Sequence, residues 1–384
     1  MPHVERPATA EACAEALRAC ADLRHTVRVR GGGTKDGLGT RRETDVVLET
    51  AGLDGIVDHV PEDLTVTVRA GMSFAALRDA LAAHGQFLPL DPPHVARGAT
   101  VGGIIAANSN GFGRYRYGGV RDLVLGVRAA LPDGAVARAG GRVVKNVAGY
   151  DLNKLFIGSL GTLGVVVEAT FKILPVPPTA RAASATFATP GDAFAVAGAL
   201  LRTSLRPTAL VVERTADGRW RLVIAAAGEA APVERAMAEL RRAAAARGTA
   251  VEAIDEPEAA LDPLREIVDL ADGGVVVRAV LPLSAQAAFA EAATGVDRGA
   301  RVVADAASGI AHVQLRDEAG IVVAADGLLA GARILGGSAR IERAAVAGLD
   351  PFGGPEPSGA FLMRRLKAAF DPTGILEPAR SALG

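Results

Sequence analysis

Residues 98–119 read GATVGGIIAANSNGFGRYRYGG, and residues 145–172 read KNVAGYDLNKLFIGSLGTLGVVVEATFK. Both stretches place small residues where a backbone must approach something closely. Glycine loses more conformational freedom on folding than any other residue. Glycines between apolar strands therefore mark amides and carbonyls wrapped round a ligand rather than plain connections. A dinucleotide is the guest such a wrap suits.

Upstream, RGGGTK (Arg30 to Lys35) follows a short alternating strand from Val27. Its successive amides can form a concave nest for a pyrophosphate, flanked by the charges of Arg30 and Lys35. A Rossmann site needs such a glycine turn to open a helix. Here TKDGLGTRR leads to another strand, Asp45 to Glu49, so the Rossmann fold is excluded on context. Thr100, Gly102 and Gly103 precede the small apolar run Ile104 to Ala107, which reads as a short helix with its N-terminus toward the same phosphates. Asn108, Ser109 and Asn110 supply short polar groups for ring carbonyls and N–H groups, although Asn110-Gly111 also fits a plain turn.

Composition narrows the field. At 384 residues the chain exceeds the size at which single cores stop growing, so at least two domains are expected. A formal net charge of −1 gives no pull toward nucleic acid, and no apolar run is long enough to span a bilayer. The N-terminus, with Glu5, Glu11 and Glu15, lacks a signal-peptide core, so a cytoplasmic location is expected. Cys13 and Cys20 are the only cysteines and lie one heptad apart on the apolar face of a first helix capped by Thr9. Two thiols cannot ligate an iron–sulfur cluster, and the six histidines form no zinc pattern, so no metal site is expected.

Further strands are read at about residues 55–60 and 64–70, then a helix opened by Ser73 and ended by Gly85, a hairpin at Pro132 to Gly134, and a long strand from Leu163 to Leu174. Pro175, Pro177 and Pro178 mark a linker. Residues 181–255 then read strand, helix, strand, strand, helix, strand, and residues 274–343 repeat that order. Two ferredoxin-like βαββαβ units side by side would make one antiparallel sheet backed by helices. The expected division is 1–178, 179–345, and a segment 346–384 returning to the first domain.

Taken together, RGGGTK, PLDPPH, ATVGGIIAANSNG, RYG, VRDLVLG, KNVAGYDL, FIGSLGTLGVVVEATFK and the terminal FDPTGILEPAR resemble the FAD-linked oxidases of the vanillyl-alcohol oxidase and p-cresol methylhydroxylase (PCMH) type. The resemblance implies an α+β fold: a two-subdomain PCMH-type FAD-binding domain plus an antiparallel α+β cap domain. It implies that Gly31, Gly32, Gly33, Thr34 and Lys35 form the pyrophosphate loop. Thr100, Gly102, Gly103, Asn108 and Ser109 resemble the second flavin-contacting stretch. Gly158, Ser159, Gly161, Thr162, Gly164 and Val165 resemble the turn and strand start on the adenine side. Covalent members carry a histidine where Thr34 stands, so FAD is expected to be noncovalent.

The same resemblance implies an FAD-binding subunit of a complex that oxidises glycolate or another small 2-hydroxy acid. Its partners would be a catalytic FAD subunit and an iron–sulfur subunit, and any hold on the inner membrane would pass through them. Such a reaction needs a cation for the substrate carboxylate, a base for its hydroxyl proton, and charge compensation at the reduced flavin. Arg114, Arg116, Lys145 and Asn146 lie in or beside the motifs, and Arg116, Lys145 and Asn146 are the candidate catalytic residues. One departure stands out. Catalytic members typically carry His-x-His and Gly-Asp-Gly-Asn on the cap, whereas Gly309 to Gly320 holds only His312. A stand-alone FAD-dependent 2-hydroxy-acid oxidoreductase and a scaffold subunit without catalysis are the alternatives.

Overall fold

The computed structural model describes residues 2–39, 43–141, 151–270, 274–316, 320–346, 349–351 and 358–377. By contacts the chain divides into two units. Residues 1–110, 118–176 and 356–384 form the first, and residues 111–117 and 177–355 form the second.

The first unit holds two main sheets. Three parallel strands lie in the order His3–Glu5, Val46–Glu49, Val27–Arg30. The helix Ala10–Leu23 connects the first to the last. It starts where Thr9 Oγ1 accepts the Ala12 amide at 3.0 Å and stops where Arg24 turns left-handed, at φ 55°. Beyond Val27–Arg30 the C-terminal tail adds a parallel bridge, Val27 to Leu376.

Five antiparallel strands make the other main sheet, in the order Ile56–Val60, Thr65–Arg69, Val165–Lys172, Val124–Ala130, Val136–Gly140. Ala130, Val165 and Val167 share a core with Cys13, Leu17, Val27 and Leu48, so this sheet backs onto the first helix. Val66, Val68 and Phe171 pack instead with Leu77, Leu81, Ile104 and Ile105, from the helices Phe74–Ala82 and Val101–Ala107. Covered on both faces, the central strand VVVEATFK is buried at six of its eight positions, the exceptions being Glu168 and Lys172. A side chain buried as fully as Phe171 contributes about 1.5–3 kcal/mol.

The second unit is built on one eight-stranded sheet in which every pairing is antiparallel. Its order is Val251–Ile254, Thr179–Phe187, Trp220–Gly228, Ala209–Arg214, Arg301–Asp305, Ile310–Leu315, Val275–Val280, Ser338–Ala344. Each half is a βαββαβ quartet, and the halves join edge to edge through Val211 opposite Asp305 and Glu213 opposite Val303. The helices Pro190–Leu201, Ala230–Ala245, Gln286–Val296 and Ile321–Ile334 cover one face. The opposite face carries Val211, Val223 and Val303 under Phe112, Leu261 and Leu264. The α+β class with an antiparallel second unit is the one the sequence predicts. No helix among the described residues is long and apolar enough to cross a membrane.

The two cysteines sit inside the first helix's packing face. Burial pushes the Cys13 thiol up to about 12. Burial, with the nearby carboxylates of Glu5 and Asp45, raises Cys20 as well. A thiol of pKa 12 is ionised to roughly one part in ten thousand at pH 8, and the thiolate is the reacting species. Titration with a thiol reagent at pH 8 should therefore find no fast-reacting group in the native protein and two after denaturation. A fast native thiol would contradict this packing.

Candidate functional site

The strand Val27–Arg30 delivers Gly31, Gly32 and Gly33 against residues 98–103, and the two backbones touch. A Cβ on Gly31 would lie 2.3 Å from Thr100 Oγ1, and one on Gly32 would lie 1.9 Å from the Gly98 carbonyl oxygen. Neither leaves space for a side chain. Gly33 is glycine for a different reason, its left-handed φ of 72°. The Arg30 guanidinium folds back over Gly33 and is held there by Asp36 at 3.1 Å and Glu49 at 3.6 Å.

Residues 99–102 are stitched to the five-stranded sheet and the helix beside it. The Phe74 amide donates to the Ala99 carbonyl (2.8 Å), that of Val101 to Met72 (2.9 Å), and that of Gly102 to Ala70 (2.7 Å). A Cβ on Gly102 would meet Ala70 Cβ at 2.9 Å. Thr100 caps the helix Val101–Ala107 by accepting the Gly103 amide at 3.3 Å. At the other end Asn108 turns left-handed, φ 48°, and its amide closes the helix. The turn after Phe156 docks there: the Gly158 amide donates to Ile105 O (3.0 Å) and that of Leu160 to Ala106 O (2.8 Å).

The C-terminal tail closes the assembly from behind. Val27 N donates to Ile375 O and Glu377 N to Val27 O, both at 2.8 Å, while the buried Glu377 carboxylate accepts Val29 N at 2.7 Å. Asp371, also buried, accepts the amides of Ile375 and Leu376 at 3.1 and 2.8 Å. The Lys367 ammonium donates to Asp371, to Thr162 O (2.9 Å) and to Leu376 O (2.8 Å).

These segments line a cleft that opens to solvent. Of the residues singled out from sequence, Gly31, Gly32, Gly33, Thr34, Lys35, Thr100, Gly102, Gly103, Gly161, Gly164 and Val165 line it, joined by Ala106, Ala107 and Leu160. Asn108, Ser109, Gly158, Ser159 and Thr162 do not line it. They shape the adjoining turns. Ser159 Oγ donates to Phe156 O, and Thr162 Oγ1 donates to Ser159 O. Asn110 donates its amide to Asn108 O and accepts the Val120 amide. Lys145 and Asn146 lie outside the described residues.

A second constellation, unseen in the sequence, lies on the sheet face of the second unit opposite its four covering helices. Strand register sets Arg278 between His312 and Arg340. His312 Nε2 is 3.1 Å from Glu342, and Arg340 is 3.6 Å from the same carboxylate. Burial would raise the Glu342 pKa. The His312 hydrogen bond and the charges of His312, Arg340 and Arg278 outweigh it and hold the carboxyl well below the usual range. Burial lowers the pKa of Arg278, Glu342 opposes, and Arg340 and Arg114 lower it further. Arg114 comes from the Gly-rich motif: residues 111–117 pack with this unit, anchored by Phe112, whose ring lies 5.9 Å from the Arg265 guanidinium. Arg116 is exposed, its guanidinium 5.9 Å from the centre of the Tyr117 ring. The one signal in sequence was a charged residue within the apolar run VVVRAV.

Residues 1–140 match the family described as FAD binding domain. Glycolate oxidase subunit GlcD of Bacillus subtilis is 31% identical over 416 aligned positions, covering 97% of this chain and 87% of that protein. The chain belongs to the FAD-linked oxidoreductases of the vanillyl-alcohol oxidase and PCMH type. Glycolate oxidase subunit GlcE of Escherichia coli K12 is 43% identical over 149 residues, a match spanning 39% of this chain and 42% of that protein. A solved alkyldihydroxyacetonephosphate synthase shares the fold, with TM-score 0.77 over 98% of this chain and 75% of that one at 16% identity. The cofactor of the family is FAD. The cleft fits it: close-packed glycine backbone, amides at a turn, and Lys35 and Arg30 at the rim.

Two predictions follow from this geometry. Near Gly103 a Cβ would meet only Thr100 Oγ1, at 3.2 Å. Gly103→Leu should therefore fill the cleft and abolish flavin retention with a small change in Tm, whereas Gly32→Val should cost folding itself. Flavin retained in the Gly103 variant would remove the cleft as its site. In the second unit, Glu342→Gln leaves Arg340, Arg278 and His312 without their carboxylate and should destabilise by about 2–3 kcal/mol in urea unfolding at neutral pH, less than a fully buried pair because the group is partly exposed. The sign follows from the lowered pKa. The Glu342 contribution is whole above the ordinary carboxylate range and is lost as pH falls from there through its depressed folded value. The variant should lack that part of the acid slope.

Proposed function

We propose that the chain is the FAD-binding subunit of a complex that oxidises a small 2-hydroxy acid, glycolate foremost, to the 2-oxo acid and hands the electrons to partner subunits. One observation carries the reading. Residues 31–35, 100–107 and 160–166 meet in one cleft walled largely by glycine backbone. Amides at Gly31 to Thr34 suit a pyrophosphate. Thr34 offers no imidazole, so the flavin is held without a covalent link. Held there, FAD would supply the two-electron acceptor that oxidation of a hydroxyl-bearing carbon needs.

This chain's own residues bind the cofactor and supply cations. Arg116, Lys145 and Asn146 stand as proposed substrate contacts, with Arg114 tied to the Arg278 cluster. Cys13 and Cys20 are buried and un-ionised, so onward transfer through an iron–sulfur centre belongs to a partner. The partners are a catalytic FAD subunit and an iron–sulfur subunit. On this reading the chain works in the cytoplasm and meets a membrane only through them. A complete oxidoreductase acting alone is the second reading, favoured by the cationic cluster on the cap sheet.

The purified chain should show a flavin absorption spectrum, or acquire one with added FAD, and glycolate added without oxygen should bleach it. Protein that stays colourless after FAD would end the cofactor assignment. Steady turnover of glycolate with a dye acceptor and no partner would replace the subunit reading with the stand-alone one.

A further inference from the structure

The open face of the eight-stranded sheet carries more positive charge than its carboxylates neutralise. At one part of this face Arg343 pairs with Asp269 at 2.9 Å, and at another Arg221 pairs with Glu213. Between them, Arg278 and Arg340 sit directly opposite each other on neighbouring strands, and Arg114 reaches Arg278 from the Phe112 segment. Arg340 and Arg278 act on the carboxylate of Glu342, which also bonds His312, and Arg114 adds its charge beside Arg278, so three guanidiniums gather around one carboxylate. Two positive charges remain. Like charges gathered in a partly buried place are costly unless something compensates them. Arg340 Nε is buried and has no acceptor among the described residues. A guanidinium with an unused in-plane donor is half of a bidentate carboxylate site.

We infer that this face binds a small dicarboxylate through Arg278, Arg340 and Arg114, the two carboxylates matching the two uncompensated charges. Arg278 is central, flanked by His312 on one side and Arg340 on the other, so one carboxylate lies across Arg278 and Arg340 and the second reaches toward Arg114. Phe112 and Arg265 act as positioning residues that hold the Arg114 segment on the sheet. Joined to the function proposed above, on which this extension to substrate rests, the preferred acid is a 2-hydroxydicarboxylate rather than glycolate. The binding site itself does not need that reading.

Calorimetric titration of the full chain at low salt tests it, with malonate and tartronate as dicarboxylates, glycolate as monocarboxylate, and inorganic phosphate. The dicarboxylates should bind roughly tenfold or more tighter than glycolate, the share of one charge-assisted contact. Arg278→Met should weaken malonate and glycolate binding alike, with the fold intact by circular dichroism. Should that variant unfold, Arg114→Gln, at a partly exposed position, should remove most of the dicarboxylate preference. Equal affinity for mono- and dicarboxylates, or a preference that survives Arg114→Gln, would overturn the site. Phosphate binding as tight as malonate would overturn the dicarboxylate assignment. These readouts need no flavin. A colourless protein that binds malonate would sink the proposed function alone, and glycolate-bleached flavin without dicarboxylate binding would sink this inference alone.

Discussion

Two stretches of backbone, residues 31–33 and 98–103, lie so close that a single methyl group cannot be placed between them. One ends a strand of the parallel sheet, and the other is hydrogen-bonded through Ala70 and Met72 to the chain just beyond an inner strand of the five-stranded sheet. Their contact therefore sets how the two sheets of the first unit meet, and with that the width of the cleft. The glycines divide by task. Gly31, Gly32 and Gly102 make room for neighbouring protein, Gly33 and Gly161 supply left-handed turns, and Gly103 leaves the cleft wall open. A glycine-rich motif is thus as much a packing device as a ligand device.

Such a contact cannot hold itself, because glycine backbone buries little apolar surface. Reinforcement comes from the tail. Lys367 spends its three donors on Asp371, Thr162 and Leu376, which ties the last helix to the turn at the cleft and to the strand added beside Val27. With its ammonium paired and the Asp371 carboxylate buried and accepting two amides, these are charge-assisted bonds, roughly twice as strong as neutral ones. Residues more than two hundred positions apart therefore stabilise one loop.

Local chemistry explains what could be read from sequence. Thr9, Ser73 and Thr100 cap helices where a hydroxyl precedes an apolar run, and the glycine turn after Arg30 leads to a strand with no helix of its own, which ruled out the Rossmann arrangement. The hairpin at Pro132 to Gly134 and the paired βαββαβ order followed from turn residues and alternation. The hydroxyls of Ser159 and Thr162 look like ligand contacts in a string of small residues, yet each bonds a carbonyl within its own turn. Arg278, His312, Arg340 and Glu342 could not be assembled in advance. They come from three strands whose register depends on a bulge beside Val276, a non-local feature with no signature in any one segment.

That cluster also accounts for the departure of this cap from the paired-histidine pattern. Two positions beyond His312 stands Gln314, its amide donating to Asp269 O and its oxygen accepting from Arg301. An amide already engaged on both sides cannot serve as a second imidazole ligand. The neighbours of His312 are no better suited to a cation. Arg278 lies directly across the strand pair, and Glu342, the carboxylate that His312 contacts, is shared with Arg340. A divalent ion placed there would meet more positive charge than negative, a repulsion that low-dielectric surroundings strengthen. The same arithmetic that makes the site hostile to a metal makes it receptive to an anion.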